Sequence, residues 1–399
     1  MRRQTRSTWP ALGGGGWAVL VVTIFTLAAA PSPGNEEDAG RTGAWDREAA
    51  ANYLDQRMEV WLSEGTPLRT GNATTNCVSC HTTLPYALAR PTLRRAMGVE
   101  SPTTQETRVL DQVVQRVETY GDQELMYEFS DEKKAQSLGT EAVLNLLILA
   151  STRGKDGAPE SAVQAGLEQL WQTQREDGSW HWLEFGLEPF ETKESVYQGA
   201  ALAAIAVGDL ASGKGATDQA WEPGVRKLTG YLNETFDQRS LYNRTWALLA
   251  SARLDGILTD TQRDGLLREL ELQQQADGGW SLSTLGEWRW SASEAPFTPP
   301  GEVDSVLLAG SDGFATGLVI HALRQGGVAS DHAAVERGLD WLIANQRPVL
   351  PAEQAPSAWR THSLNYDREN GGPRGENTPR LFMSDLATSF AVLALSGSD

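Results

Sequence analysis

Apolar residues recur at three- and four-residue intervals almost everywhere after residue 44, and strand-like alternation is nearly absent, so the pattern predicts an all-α protein. Two kinds of helix emerge. One carries an apolar stripe with charges on the opposite face, over residues 45–63, 104–120, 161–174, 222–234, 261–274 and 331–346. The other is apolar nearly all round and rich in alanine and leucine, over 84–97, 138–151, 196–210, 245–254, 314–323 and 386–395. A helix with one polar face belongs at a surface, whereas a helix with none must be covered on every side. The two kinds alternate, giving six amphipathic-then-apolar pairs. Six hairpins whose apolar members all need cover are satisfied by a closed double ring, so the expected fold is an (α/α)6 toroid of two concentric helix layers, apolar helices inside.

Aligning the pairs brings out repeats. Leu170 and Gln174 before Trp180 recur as Leu270 and Gln274 before Trp280, while Gly338, Leu342 and Gln346 repeat the spacing of Gly166, Leu170 and Gln174. In the inner helices, Ala315-Thr316 with Ala322-Leu323 matches Ala387-Thr388 with Ala394-Leu395. The stretches Gln174-Arg-Glu-Asp-Gly-Ser-Trp180 and Gln274-Gln-Ala-Asp-Gly-Gly-Trp280 resemble the QW repeats of the squalene-hopene cyclase and protein prenyltransferase superfamily. The resemblance covers about residues 44–396 and implies the same toroid, with the glutamine and tryptophan of each repeat tying helix ends together. A third copy departs from it, since an insertion separates Gln346 from Trp359 and the Asp-Gly pair is missing.

The chemistry of that superfamily does not come with its repeats, and fold alone does not supply an activity. Class II terpene cyclases protonate an alkene from an Asp-x-Asp-Asp motif, and none occurs here; Asp304 and Asp312 stand alone and read as helix caps. The prenyltransferases hold zinc with an aspartate, a cysteine and a histidine, the thioester relatives need Cys-Gly-Glu-Gln, and neither set is present. No catalytic set therefore emerges.

The two cysteines stand instead in Cys77-Val78-Ser79-Cys80-His81. Two thiols at this spacing can add to the two vinyl groups of a haem, and the adjacent imidazole then falls where it can ligate the iron, so the run predicts a covalent haem c with His81 as the metal ligand. A small redox pair or a lone disulfide is the plainer use of the same spacing.

Length and charge place this motif in context. The chain of 399 residues is 40% hydrophobic and 22% charged, enough for a large core. Arg2, Arg3 and Arg6, the apolar run from Trp17 and Ala28-Ala29-Ala30 read as a signal peptide over residues 1–30, followed by a linker over 31–43 rich in proline, glycine and acids. The toroid then occupies 44–399, and the expected location is exported, periplasmic or extracellular, with a membrane contact only if the first segment stays uncleaved. Removing residues 1–30, whose charges are those three arginines, deepens the net charge from −18 to −21 and argues against a nucleic-acid partner. Asn72, Asn233 and Asn243 head glycosylation sequons, and Trp288, Trp290 and Phe297 are candidates to line an apolar pocket.

The long connections, over 64–80, 175–194, 276–311 and 347–384, all lead from an outer helix to an inner one, so they share one face. Loops longer than about 15 residues in a compact domain are usually functional, and the cysteine motif lies among them. A low-spin haem needs a methionine or histidine opposite His81 that reaches this face. Met97, His332, His321 and Met58 are placed elsewhere, leaving Met126, His181, His362 and Met383. Met383 ranks first, because it precedes inner helix six, which must neighbour inner helix one when the ring closes; Met126 ranks next. The two functions that follow are a haem-bearing redox protein with a redox partner, and a toroid that takes a small apolar molecule, isoprenoid or similar, as a binding or cyclase-like protein with structural cysteines.

Overall fold

The computed structural model describes residues 44–152, 157–211, 221–288, 310–348, 356–364 and 378–396. Within them the expected alternation becomes twelve α-helices. The amphipathic set is α1 (Arg47–Glu64), α3 (Thr104–Glu118), α5 (Glu160–Thr173), α7 (Glu222–Thr235), α9 (Asp260–Leu272) and α11 (Ala333–Ala344). The apolar set is α2 (Thr83–Ala96), α4 (Asp131–Ser151), α6 (Ser195–Ala211), α8 (Leu241–Ser251), α10 (Gly313–Gln325) and α12 (Thr378–Ser396). Several starts are set by side-chain caps: Asp46 accepts from the Ala49 N–H, and Thr103 with Glu106 and Thr259 with Gln262 form capping boxes.

The inner helices pack in sequence, α2 on α4, α4 on α6, α6 on α8, α8 on α10 and α10 on α12, and α12 returns to α2. The ring is closed, and the fold is an (α/α)6 toroid. Close approach within it depends on small residues: a Cβ at Gly317 of α10 would stand 2.5 Å from the Phe390 backbone of α12.

The repeated glutamine and tryptophan have a common geometry that explains their spacing. Trp180, Trp280 and Trp359 donate their indole N–H to the carbonyls of Leu170, Leu270 and Leu342, in each case the last turn of the preceding outer helix. Gln174, Gln274 and Gln346 each donate to the carbonyl of a loop residue (Gly178, Gly278, Ser357) and to one at the start of the next outer helix (Gly224, Ala334, Asp46). In the first two copies the Asp-Gly pair makes the intervening turn, with Gly178 and Gly278 at φ +93°, a conformation open to glycine at little cost. The third copy reaches the same tie by another route. Its insertion opens as a short hairpin of β3 (Arg347–Pro348) and β4 (Ser357–Ala358), which brings Trp359 back under α11.

That third tie joins the last repeat to the first helix: Gln346 both donates to the Asp46 carbonyl and accepts from the Asp46 N–H, each at 2.7 Å, while Trp45 lies edge-on to Trp359. Gln346→Ala is expected to cost about 0.5–1.5 kcal/mol, the net worth of an ordinary hydrogen bond, because the Asp46 groups it leaves are exposed and can turn to water. Amide exchange should rise in α1 well before it does in α6; uniform exchange across both helices would show that this clasp does not hold the seam.

Three inner helices begin earlier than their apolar runs predict. Helix α4 starts at Asp131 rather than 138, with Ser130 capping it and Asp131 and Glu132 in its favourable first turn, as the charged stretch 131–134 suggests. Helix α8 starts at Leu241 rather than 245, on a Ser240 cap. Helix α12 starts at Thr378 rather than 386, because its first two turns contain Ser384 and Asp385, which are buried but polar and break the apolar pattern.

Candidate functional site

The connection from α1 to α2 delivers the two cysteines. A hairpin of β1 (Pro67–Thr70) and β2 (Ala73–Asn76) turns at Gly71, φ +59°, and ends on Asn76. The Asn76 side chain donates to the Trp61 and Leu62 carbonyls at the end of α1, and its N–H donates to Gln112 on α3. Trp61 in turn donates its indole N–H to the Cys77 carbonyl at 3.2 Å. The central serine of the motif is the start signal of α2: Ser79 Oγ accepts from the N–H groups of Thr82 and Thr83, at 3.2 and 2.9 Å. The chain therefore presents Cys77, Cys80 and His81 from a pinned turn.

These three side chains open onto one cavity of about 380 Å³. Its apolar wall includes Trp61, Leu68, Leu144, Leu183 and Phe382, and Met126 enters it from the connection between α3 and α4. The His81 ring stacks on Phe382 at 4.3 Å between centroids and meets the Trp61 edge at 5.5 Å. The Met126 connection is itself held: Ser137 donates to the Tyr127 carbonyl, Glu124 N–H donates to the Arg69 carbonyl, and the Tyr127 ring packs on Phe185.

Two buried polar hubs flank the cavity. Arg116 of α3, 1% exposed, pairs with Glu141 of α4 and also donates to Thr70, Thr75 and the Glu124 carbonyl, so one guanidinium fastens the hairpin, the Met126 connection and an inner helix. Asp385 of α12, 2% exposed, accepts from Tyr53 and Arg57 of α1 and from Thr82 beside the motif. Burial pushes its carboxyl up from the ordinary range, against the pull of Arg57, Tyr53 and Thr82. Burial also pushes the Cys77 thiol up to about 12 and the Cys80 thiol well above its usual range. Both are therefore neutral at physiological pH, a poor setting for thiol–disulfide exchange.

The structure brings Met126, but not Met383, to the cysteine motif. Inner helix six does lie against inner helix one, as ring closure requires, yet Met383 sits within α12 rather than in a loop. Successive helical residues diverge by about 100°, so Phe382 faces the cavity while Met383 is turned into the core, 7% exposed. Met58 is a core residue, Met97 caps the end of α2, and His332 caps the start of α11. His181 is exposed on the connection before α6, and His362 lies near Asp312. Burial lowers His321 to about 4, which keeps it neutral. Asp385 and Thr82 were missed by sequence reasoning, since only the folded ring joins them.

Among the other candidates, Asp312 caps α10 by accepting from Phe314 and Ala315 N–H groups, and it also accepts from the Leu282 N–H. Trp288 pins its own loop through the Leu282 carbonyl; Trp290, Phe297 and Asp304 lie outside the described residues, as do residues 1–43, where the signal peptide and linker are expected. Asn243 is buried with its amide bonded to the Glu194 carbonyl, whereas Asn72 is exposed at the hairpin turn. Among the inner helices Trp246 of α8 meets Phe390 of α12 at 5.5 Å, and Phe314 of α10 contacts both Phe390 and Tyr242. Among the described residues no three His, Cys, Asp or Glu side chains gather as metal ligands, and no helix is long and apolar enough to cross a membrane.

No protein-family model matches this chain, and no curated protein sequence does. Solved structures with a similar chain path include inactive variants of an α-1,6-mannanase from Salegentibacter sp. One, in complex with α-1,6-mannotetrose, has a TM-score of 0.48 at 12% identity over 88% of this chain and 98% of that one. Another, in complex with α-1,6-mannotriose, has a TM-score of 0.49 at 12% identity with the same coverage. The ent-copalyl diphosphate synthase of Streptomyces platensis has a TM-score of 0.44 at 15% identity over 82% of this chain, which spans 52% of that synthase. The toroid assignment rests on the helix packing and ring closure given above.

Proposed function

We propose that this chain is an exported, cyclase-like toroid that carries a covalent haem c in the cavity beside α2, linked through Cys77 and Cys80 with His81 on the iron, and that it serves electron transfer or haem-dependent redox chemistry with a redox partner. The supporting observation is convergence: two neutral thiols, an imidazole and the Met126 thioether line one cavity of about 380 Å³, whose apolar wall is joined by Arg57, Arg116, Glu64, Glu141 and Glu191. Such a volume lies within the range of ordinary cofactor sites. The bound group would supply one-electron chemistry. The chain's own contribution is to hold His81 against Phe382 and Trp61, to exclude water with the apolar wall, and to fix the attachment turn through Ser79 and Asn76.

The Gln–Trp ties support kinship with the QW-repeat toroids, without their Asp-x-Asp-Asp or zinc chemistry. An apolar-ligand or cyclase-like protein with structural cysteines is the competing function. The full chain, produced in a host with haem-attachment machinery, should keep a haem stain on a denaturing gel and show a cytochrome absorption spectrum. A colourless product under those conditions overturns the proposal.

Coordination follows the cavity. Met126→Ala should convert a six-coordinate, low-spin spectrum to a high-spin one, while Met383→Ala should leave it low-spin. A low-spin spectrum that survives Met126→Ala removes Met126 as the second ligand.

A further inference from the structure

The geometry points to Thr82 and Asp385 as a positioning relay that fixes which ring nitrogen of His81 carries the proton. His81 Nδ1 lies 3.0 Å from Thr82 Oγ1, and Thr82 Oγ1 lies 2.9 Å from Asp385 Oδ2. The donor directions are set from the far end. Asp385 Oδ1 accepts from Arg57 Nε at 2.8 Å and from Tyr53 at 2.9 Å, and Oδ2 accepts from Arg57 Nη2 at 3.2 Å and from Thr82. Burial raises the Asp385 carboxyl, but the always-cationic Arg57 placed bidentate on both oxygens and Tyr53 on Oδ1 both donate to it, which favours the ionised, acceptor-only form. Thr82 has one hydroxyl proton, and its hydrogen bond to Asp385 uses it. The hydroxyl can then meet Nδ1 only as an acceptor, so Nδ1 carries the hydrogen and the lone pair falls on Nε2.

An imidazole that donates its second nitrogen to an anion-backed acceptor is a more basic ligand with a fixed ring plane. Its carboxylate is borrowed from inner helix six, 303 residues further along the chain from Thr82, so the relay exists only in the closed ring. The consequence at an iron rests on the haem reading, whereas the tautomer is a property of the chain alone. Greater ligand basicity favours ferric over ferrous iron, and loss of the relay should therefore raise the reduction potential.

The test is made on Thr82, because removing Asp385 would strand the buried Arg57 and endanger folding. In the full chain without haem, ¹⁵N-histidine spectra should show His81 protonated at Nδ1. Thr82→Ser, which keeps the hydroxyl, should preserve that signature, and Thr82→Val should lose it. An Nε2-protonated His81 in the unsubstituted chain, or a Thr82→Val spectrum identical to it, overturns the relay. In haem-loaded protein, Thr82→Val should favour ferrous iron about tenfold more, an upward shift of about 59 mV for one electron, and Thr82→Ser should not. Equal potentials for all three proteins overturn the relay as well. Should covalent haem fail to form in the unsubstituted chain, the cofactor proposal falls and the ¹⁵N spectra alone decide the relay.

Discussion

Replacing Cys77 and Cys80 together with serine is expected to abolish covalent haem attachment completely while leaving the helix content nearly unchanged. The reason is a separation of roles in space. Both cysteines lie on the connection between α1 and α2, half-buried and free of any disulfide, whereas the closed ring is held by the apolar contacts of the inner helices and by the Gln–Trp ties. Serine is nearly the same size as cysteine, so each substitution costs no more than placing a hydroxyl against an apolar wall, about 1–3 kcal/mol. A toroid burying continuous faces between all six hairpins absorbs that loss. Circular dichroism and a haem stain on the same preparation check both halves. Collapse of the helical signal in the double variant would instead mark the cysteines as structural, and retention of covalent haem would mean that some other group attaches it.

What could be read from the chain alone divides along physical lines. Periodicity is a local property, and the outer helices and α6, expected at 196–210 and found at Ser195–Ala211, fall within a few residues of prediction. Ring closure was legible too, because six apolar helices have no other cover. The starts of α8 and α12 were not, since their first turns mix apolar with polar residues whose placement depends on neighbours, whereas the charged stretch 131–134 does mark the start of α4. The hairpin β1–β2 escaped notice because four-residue strands rich in threonine carry too little apolar alternation to register. Of the candidate site, the cysteine motif and its face were visible. The choice between Met126 and Met383 was not: topology predicts which helices adjoin, but the facing of one side chain turns on helical phase, and that phase puts Phe382 rather than Met383 on His81. Asp385 was invisible for a different reason. A lone acid in an apolar run looks like a helix start, and only its partners Tyr53, Arg57 and Thr82 explain why it is buried.

The second large effect is expected at Arg116. Arg116→Met keeps the apolar stem of the side chain but removes the guanidinium, leaving Glu141 buried beside the cavity without its cation; breaking one partner of a buried pair costs about 3–5 kcal/mol. The same change removes the donors to Thr70, Thr75 and the Glu124 carbonyl, so the loss is concentrated where β1, β2 and the Met126 connection meet. Denaturant unfolding should show a lower midpoint with an unchanged slope, because the unfolded state exposes the same surface. Hydrogen exchange should accelerate first in residues 67–76 and 119–130 and last in α10 and α12. Adding Glu141→Met to Arg116→Met should recover much of the loss, since two apolar side chains of similar volume leave no stranded charge. A cost below about 1 kcal/mol for the single variant would place this ion pair with ordinary surface pairs, and failure of the double variant to recover would assign the loss to the hairpin hydrogen bonds rather than to Glu141. Because Arg116 holds the strand that ends at Asn76 and the connection that presents Met126, its removal loosens both approaches to the cavity at once, and the haem-loaded protein should lose low-spin character under conditions where its inner helices remain folded.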